Sequence, residues 1–200
     1  PGSTSTKWAV YNDRELIWKS TRQHPAGELS HYSHVFDQLP MRIEATRQAL
    51  AENGIPTDFD VVIARGGLLK PTPSGVYEVT DRIVDDLRNA DLEHACNLGA
   101  LIARHISREA GCKAFIADPE VVDEMMPEAR LTGIPEIRRR SVFHALNTKA
   151  VARRYAWSQG RQYEDMNLIL VHLGGGISIG AHCNGRVIDV NNALNGDGPF

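Results

Sequence analysis

The sequence predicts an α/β protein with a mixed sheet and helices, followed by the opening strands of a second, duplicated domain. The first sign is a run near the C-terminal end. Leu168-Ile169-Leu170-Val171 leads into Gly174-Gly175-Gly176, and Ile177, Ile179 and Ala181 then alternate with Ser178, Gly180 and His182. Asn184-Gly185 turns the chain back into Arg186–Val190. The second sign is that the same order opens the chain. A shift of 172 residues sets Gly2 on Gly174, Ala9 on Ala181, Asn12 on Asn184 and Arg14 on Arg186. The third is a series of short apolar strands separated by helical stretches, the alternation that builds α/β folds.

In chain order, Pro1 to Lys7 is a small-residue turn, Trp8 to Tyr11 a strand, Asn12-Asp13 the next turn, and Leu16-Ile17-Trp18 the returning strand. Arg22 to Tyr32 reads as a loop. Val35 to Asn53 reads as a helix stopped by Asn53-Gly54. His31 and His34 have ligand-pair spacing but no third ligand, so surface histidines are expected. Phe59 to Ala64 is a buried strand ending at Arg65-Gly66-Gly67, and Pro71 to Thr80 a loop. Asp81 to Arg88 and Leu92 to Ala110 read as helices, the second closed by Gly111. Lys113 to Ala117 is a strand ending at Asp118-Pro119, and Glu120 to Met126 is expected to be a short helix. A helix is expected from His144 to Trp157.

Composition limits the function classes. Hydrophobic content of 42% and charged content of 24% are those of an ordinary globular chain. A net charge of −3 gives neither a nucleic-acid footprint nor a polybasic membrane signal, and Arg138-Arg139-Arg140 is too short a patch to change that. No apolar run approaches the roughly 20 residues of a membrane span. Three scattered cysteines argue for a reducing cytoplasm. The chain starts without Met, directly at the first turn, and stops in a loop, Gly196 to Phe200. A fragment is therefore expected, lacking one strand before the first turn and most of the second domain: a first domain over 1–165 and a truncated second over 166–200.

Gly174, Gly175 and Gly176 have no Cβ, so the backbone can approach a ligand closely with N–H groups turned toward an anion. Two such turns on two like hairpins suggest a polyphosphate held from both sides. The glycine spacing fits neither the dinucleotide fingerprint nor the P-loop, and Lys7 has no P-loop frame. Arg65 and Asp118 both sit at strand ends, where α/β sheets bind ligands. Arg65 has a planar fork suited to a carboxylate or phosphate, but a structural ion pair reads equally well. Asp118 could be a turn or cap residue, and His144 a mere helix-start residue. His172 could contact phosphate or order the strand end.

Five stretches carry a family resemblance: Pro1-Gly2-Ser3-Thr4-Ser5-Thr6-Lys7, Arg65-Gly66-Gly67-Leu68-Leu69, Phe143-His144-Ala145-Leu146-Asn147, His172 through Gly176, and Asp189-Val190-Asn191-Asn192-Ala193-Leu194. In family order they resemble the butyrate-kinase branch of the acetokinase family, within the superfamily of sugar kinases, actin and heat-shock ATPases. The resemblance implies a ribonuclease-H-like, actin-like ATPase fold. It implies the reaction of a short-chain carboxylate with ATP to give an acyl phosphate and ADP. Acetate, propionate or branched-chain acids are alternative substrates, and a non-catalytic actin-like nucleotide-binding module is an alternative of another class. The resemblance also implies catalytic roles for Asp118, His144 and Arg65, with Mg²⁺ held by Asp118 through water. It implies phosphate contacts from Ser3, Thr4, Ser5, Thr6, Lys7, His172, Gly174, Gly175 and Gly176. A homo-oligomer, dimer or higher, is expected.

Overall fold

A computed structural model describes residues 1–174 and 176–193. The chain divides into two compact units: residues 1–68 with 76–116, and residues 69–75 with 117–200.

The first unit opens with an antiparallel hairpin, β1 (Ser5–Asn12) and β2 (Glu15–Gln23), followed by one helical turn, α1 (Ala26–Leu29). A 3₁₀ turn, Val35–Gln38, leads into α2 (Leu39–Glu52). Pro40 falls in its first turn, where the missing N–H costs nothing, and Gly54 follows its end at φ +61°. Strand β3 (Val61–Arg65), β4 (Val76–Glu78) and β5 (Lys113–Ala117) form one sheet in the order β3-β5-β4. Between β4 and β5 lie α3 (Asp81–Arg88), capped where Thr80 Oγ1 accepts from Ile83 N, and α4 (Leu98–Ala110), closed by left-handed Gly111. The core joins α2 and α4 through Ile43, Leu98, Ile102 and Ile106, with Val35, Phe36, Leu39, Phe59 and Val62 around them.

The second unit contains α5 (Ala145–Ser158) and an antiparallel sheet, β6 (Asn167–Leu173), β7 (Ile177–Cys183) and β8 (Arg186–Val190). Leu168 and Leu170 point inward to Ala152 and Ala156 of α5, Tyr163 and Met166. A second cluster gathers Val122, Met125, Phe143, Ala145, Val187 and Val190. On the opposite face of β6 and β7, Ile169, Val171, Leu173, Ile177 and Ile179 are exposed.

Six expectations need correcting. The stretch read as a loop from Pro71 to Thr80 contains β4, and the strand read as buried from Phe59 to Ala64 runs Val61–Arg65 with Val61 and Ile63 exposed. Residues 120–126 are not helical. Val122 instead bridges Thr72, and Phe143 N and Ser141 Oγ donate to the carbonyls of Glu120 and Val122. The helix expected from Leu92 begins at Leu98, because Asn97 Nδ2 donates to the Leu92 carbonyl and His94 caps a 3₁₀ turn at Ala95–Asn97. The stretch read as a loop from Arg22 includes the end of β2 and all of α1. The first hairpin turn is Asp13-Arg14 rather than Asn12-Asp13, since Asn12 still pairs with Glu15.

That last point qualifies the repeat. At a shift of 172 the inward positions agree: Thr6, Trp8 and Val10 of β1 correspond to Ser178, Gly180 and His182 of β7. The pairings do not. Val10 pairs with Trp18, whereas Val190, the counterpart of Trp18, pairs with Gly180 rather than His182. Asp13 (φ +53°) therefore matches Asn184 (φ +49°) as the first turn residue.

Candidate active site

In the second unit, α5 starts beside the β6–β7 turn. His144 is its N-cap residue, with ψ +60° and no side-chain capping bond. Its backbone N–H donates to Ser178 Oγ at 3.1 Å, and the same hydroxyl lies 2.8 Å from its Nδ1. The His172 ring stacks on that of His144, centroids 3.8 Å apart and planes within 6°. Asn147, one turn along the helix, places Nδ2 2.9 Å from His172 Nδ1. The glycines fit tightly under these rings. A Cβ on Gly174 would stand 3.0 Å from His172 Nε2, and one on Gly176 3.0 Å from His144 Cε1 and 3.3 Å from the Ala193 carbonyl. Two imidazole edges thus lie where only glycine leaves room, a cradle suited to an anionic oxygen. Gly175 lies outside the described residues.

Asp118 follows β5 at φ +37°, a left-handed conformation that Asp tolerates better than most residues. It is buried. Its Oδ1 accepts from Ser74 Oγ at 2.6 Å and Gly75 N at 3.0 Å, and its Oδ2 faces Arg153 Nη1 at 3.2 Å. Ser74 and Gly75, just ahead of β4, therefore hold the carboxylate. Because Phe143 N donates to the Glu120 carbonyl, the segment carrying Asp118 runs beside the one carrying His144.

Behind this site runs a polar chain in which Lys149, Tyr163 and His182 are buried and Arg153 is exposed. The Arg153 guanidinium and Lys149 Nζ each lie 5.8 Å from the Tyr163 ring centroid. Tyr163 Oη is 2.6 Å from His182 Nδ1, and Lys149 Nζ bonds Glu124 Oε2 at 2.7 Å and the Gly185 carbonyl at 3.2 Å. Burial first, then Lys149, depresses the pKa of His182 to about 4. Burial pushes the Tyr163 phenol well above its ordinary value, so it stays a donor.

In the first unit, Arg65 ends β3, half-buried. A Cβ on Gly99 of α4 would stand 2.8 Å from the Arg65 carbonyl, so only glycine lets the helix come this close. The following turn is held by buried Asn97, whose Oδ1 accepts from Leu68 N at 2.9 Å. The Ser3–Thr6 turn is gripped by Arg42 of α2. Its Nη2 donates to the Ser3 carbonyl at 3.2 Å, and its Nη1 to the Ser5 carbonyl at 3.3 Å and Thr6 Oγ1 at 3.1 Å. Thr6 Oγ1 also lies 2.9 Å from His24 Nε2, so it is committed to this core. With the carbonyls of Ser3 and Ser5 turned to Arg42, the N–H groups of Ser3 and Thr4 donate to no described residue. Lys7 is exposed on β1.

The structure thus brings together His144, His172, Gly174 and Gly176, and sets Asp118 on the adjoining segment. Arg65, Ser3 to Thr6 and Lys7 belong to the other unit. Sequence reasoning missed Ser178, Arg42, Asn97, Ser74 and Arg153. Ser178 lies in the inward register of an alternating strand, which is the one signal that could have marked it.

The α/β framework is the fold of acetate and propionate kinases. Acetate kinase from Porphyromonas gingivalis superposes with a TM-score of 0.67 at 18% identity, over 96% of this chain and 55% of that one. A propionate kinase from Francisella tularensis superposes at 0.62 with 18% identity, over 96% and 56%. Residues 121–195 match the acetokinase family. The whole chain aligns with a Phocaeicola vulgatus protein named "Probable butyrate kinase" at 64% identity over 200 residues, and with butyrate kinase 1 of Clostridium acetobutylicum at 49% over 202. The chain spans 56% and 57% of those relatives' lengths.

Proposed function

We propose that the protein is an ATP-dependent short-chain carboxylate kinase whose preferred substrate is butyrate. The observation that carries this reading is the stacked pair His144 and His172 on the Gly174–Gly176 turn, in a chain that aligns end to end with butyrate kinases. The proposed division is a first domain over 1–165 and a second from 166. Cytoplasmic placement and a homo-oligomer go with this reading. Among the described residues no helix is long and apolar enough to cross a membrane, and the three cysteines are free.

The acceptor carboxylate, with a pKa of roughly 4–5, is already ionised at neutral pH, so no general base is needed. One of its oxygens forms the new bond to the γ-phosphorus as the bond to the β–γ bridging oxygen breaks, and ADP leaves with that electron pair. Arg65 is assigned to the acyl carboxylate. His144 is assigned to the transferring phosphoryl group, where a donated hydrogen bond offsets the repulsion of two anions. Ser3 to Lys7, His172 and Gly174 to Gly176 are assigned to nucleotide phosphates. Among the described residues no cluster of three His, Cys, Asp or Glu could hold a metal alone. Asp118, at the end of β5, would hold Mg²⁺ through a water. Mg²⁺ supplies charge neutralisation on the phosphates.

The test is acyl-hydroxamate formation with ATP, Mg²⁺ and a panel of acids, with butyrate expected to be the fastest. Each methylene is worth only about 0.8 kcal/mol, so activity should overlap on neighbouring acids. Fastest turnover of acetate, propionate or a branched acid would reassign the substrate. ATP binding without acyl phosphate formation would favour the non-catalytic module.

A further inference from the structure

A neutral imidazole carries its proton on one of two nitrogens, and only the protonated one can donate to a phosphoryl oxygen. At His144 two independent contacts decide which. Stacking on His172, with the planes within 6°, fixes the ring plane but is indifferent to a half-turn about the Cβ–Cγ bond, which exchanges nitrogen and carbon positions. Ser178 removes that ambiguity.

Ser178 is fully buried, and its Oγ meets residue 144 twice, at the backbone N (3.1 Å) and at Nδ1 (2.8 Å). The backbone N–H can only donate, so it takes one lone pair of the hydroxyl. Among the described residues, the hydroxyl proton then has a single acceptor, Nδ1. A proton on Nδ1 would strand the buried hydroxyl hydrogen, the arrangement that folded proteins avoid. Nε2 therefore carries the ring proton. It lies on the glycine side, 3.4 Å from where a Gly176 Cβ would stand.

We propose that Ser178 is a positioning residue that holds His144 as its Nε2–H tautomer and presents that N–H at the glycine turn. What the N–H is for rests on the carboxylate-kinase reading; the tautomer rests on the geometry alone.

Long-range ¹H–¹⁵N correlation spectra of the ¹⁵N-labelled chain at neutral pH test it directly. Wild-type His144 should show a protonated Nε2 and an unprotonated, hydrogen-bonded Nδ1. Ser178→Ala should move both nitrogens toward the averaged shifts of exchanging tautomers. A wild-type Nδ1–H tautomer or an imidazolium overturns the proposal, as does a Ser178→Ala spectrum identical to wild type. The wild-type spectrum decides even if the variant fails to fold. In the intact enzyme, Ser178→Ala should lower kcat about tenfold with KM for ATP little changed. Undiminished turnover in His144→Ala would defeat the kinase role of His144 and leave the tautomer result standing. The wrong tautomer together with an inactive His144→Ala would defeat the Ser178 proposal alone.

Discussion

Arg42 is a side chain that helical patterning would assign to solvent, yet it is fully buried, with its guanidinium committed to the Ser3 and Ser5 carbonyls, Thr6 and Gln38. Arg42→Ala would leave several of these acceptors unpaired, and urea titration should show a loss of about 3 kcal/mol. Arg42→Lys, which cannot span the same set of acceptors, should recover only part of it. A second residue-scale expectation concerns His182. Its ordinary pKa of 6.5 falls to about 4 in the fold, so the unfolded chain binds more protons between those values. Stability is then fully present above pH 6.5 and is lost as pH falls toward 4, by up to about 3 kcal/mol for this group. His24, depressed by burial first and by Arg42 second, acts with the same sign. Denaturant midpoints across that window should slope downward with falling pH, and His182→Gln should flatten the slope. Arg65, Asp118 and His144 were legible as candidates because they sit at strand and helix ends. The groups that hold them, or in the case of Arg65 the turn after it, were not, since Ser74, Asn97 and Ser178 are separated from Asp118, Leu68 and His144 by 44, 29 and 34 residues.

Elements whose signals are local read correctly from the sequence. Thr80 before Asp81–Arg88, Gly111 after α4, and Asn184-Gly185 between two strands each specify their own stretch. Elements decided by distant partners did not. The 120–126 segment has helical composition but gives its backbone bonds to Thr72, Ser141 and Phe143. The glycine turn provides the prediction at this scale. Gly176→Ala would press a methyl against the His144 ring and the Ala193 carbonyl, so kcat should fall by about tenfold or more. Gly133→Ala, with nothing within 4 Å of the added methyl, should behave as wild type in the same assay.

For the chain as a whole, the exposed row of Ile169, Val171 and Leu173 beside Ile177 and Ile179 is a contiguous apolar sheet face. The 200-residue chain should bind an apolar dye such as anilinonaphthalene sulfonate, and Val171→Lys with Ile179→Lys should reduce the signal while leaving the melting temperature nearly unchanged. A signal equal in both proteins would mean that this face is covered in solution. The paired hairpins bear on how internal duplications are recognised. Relative to its counterpart, the second hairpin has slid by two residues along its return strand, a displacement of about 7 Å. Two is the smallest slip that leaves every side chain on its own face. At a shift of 171 residues, by contrast, the pairings of the two hairpins coincide, bulge included, but every inward position of one falls on an outward position of the other. A contact map and an inside–outside rhythm therefore align the same two hairpins one residue apart, and only the second alignment keeps each side chain on its face.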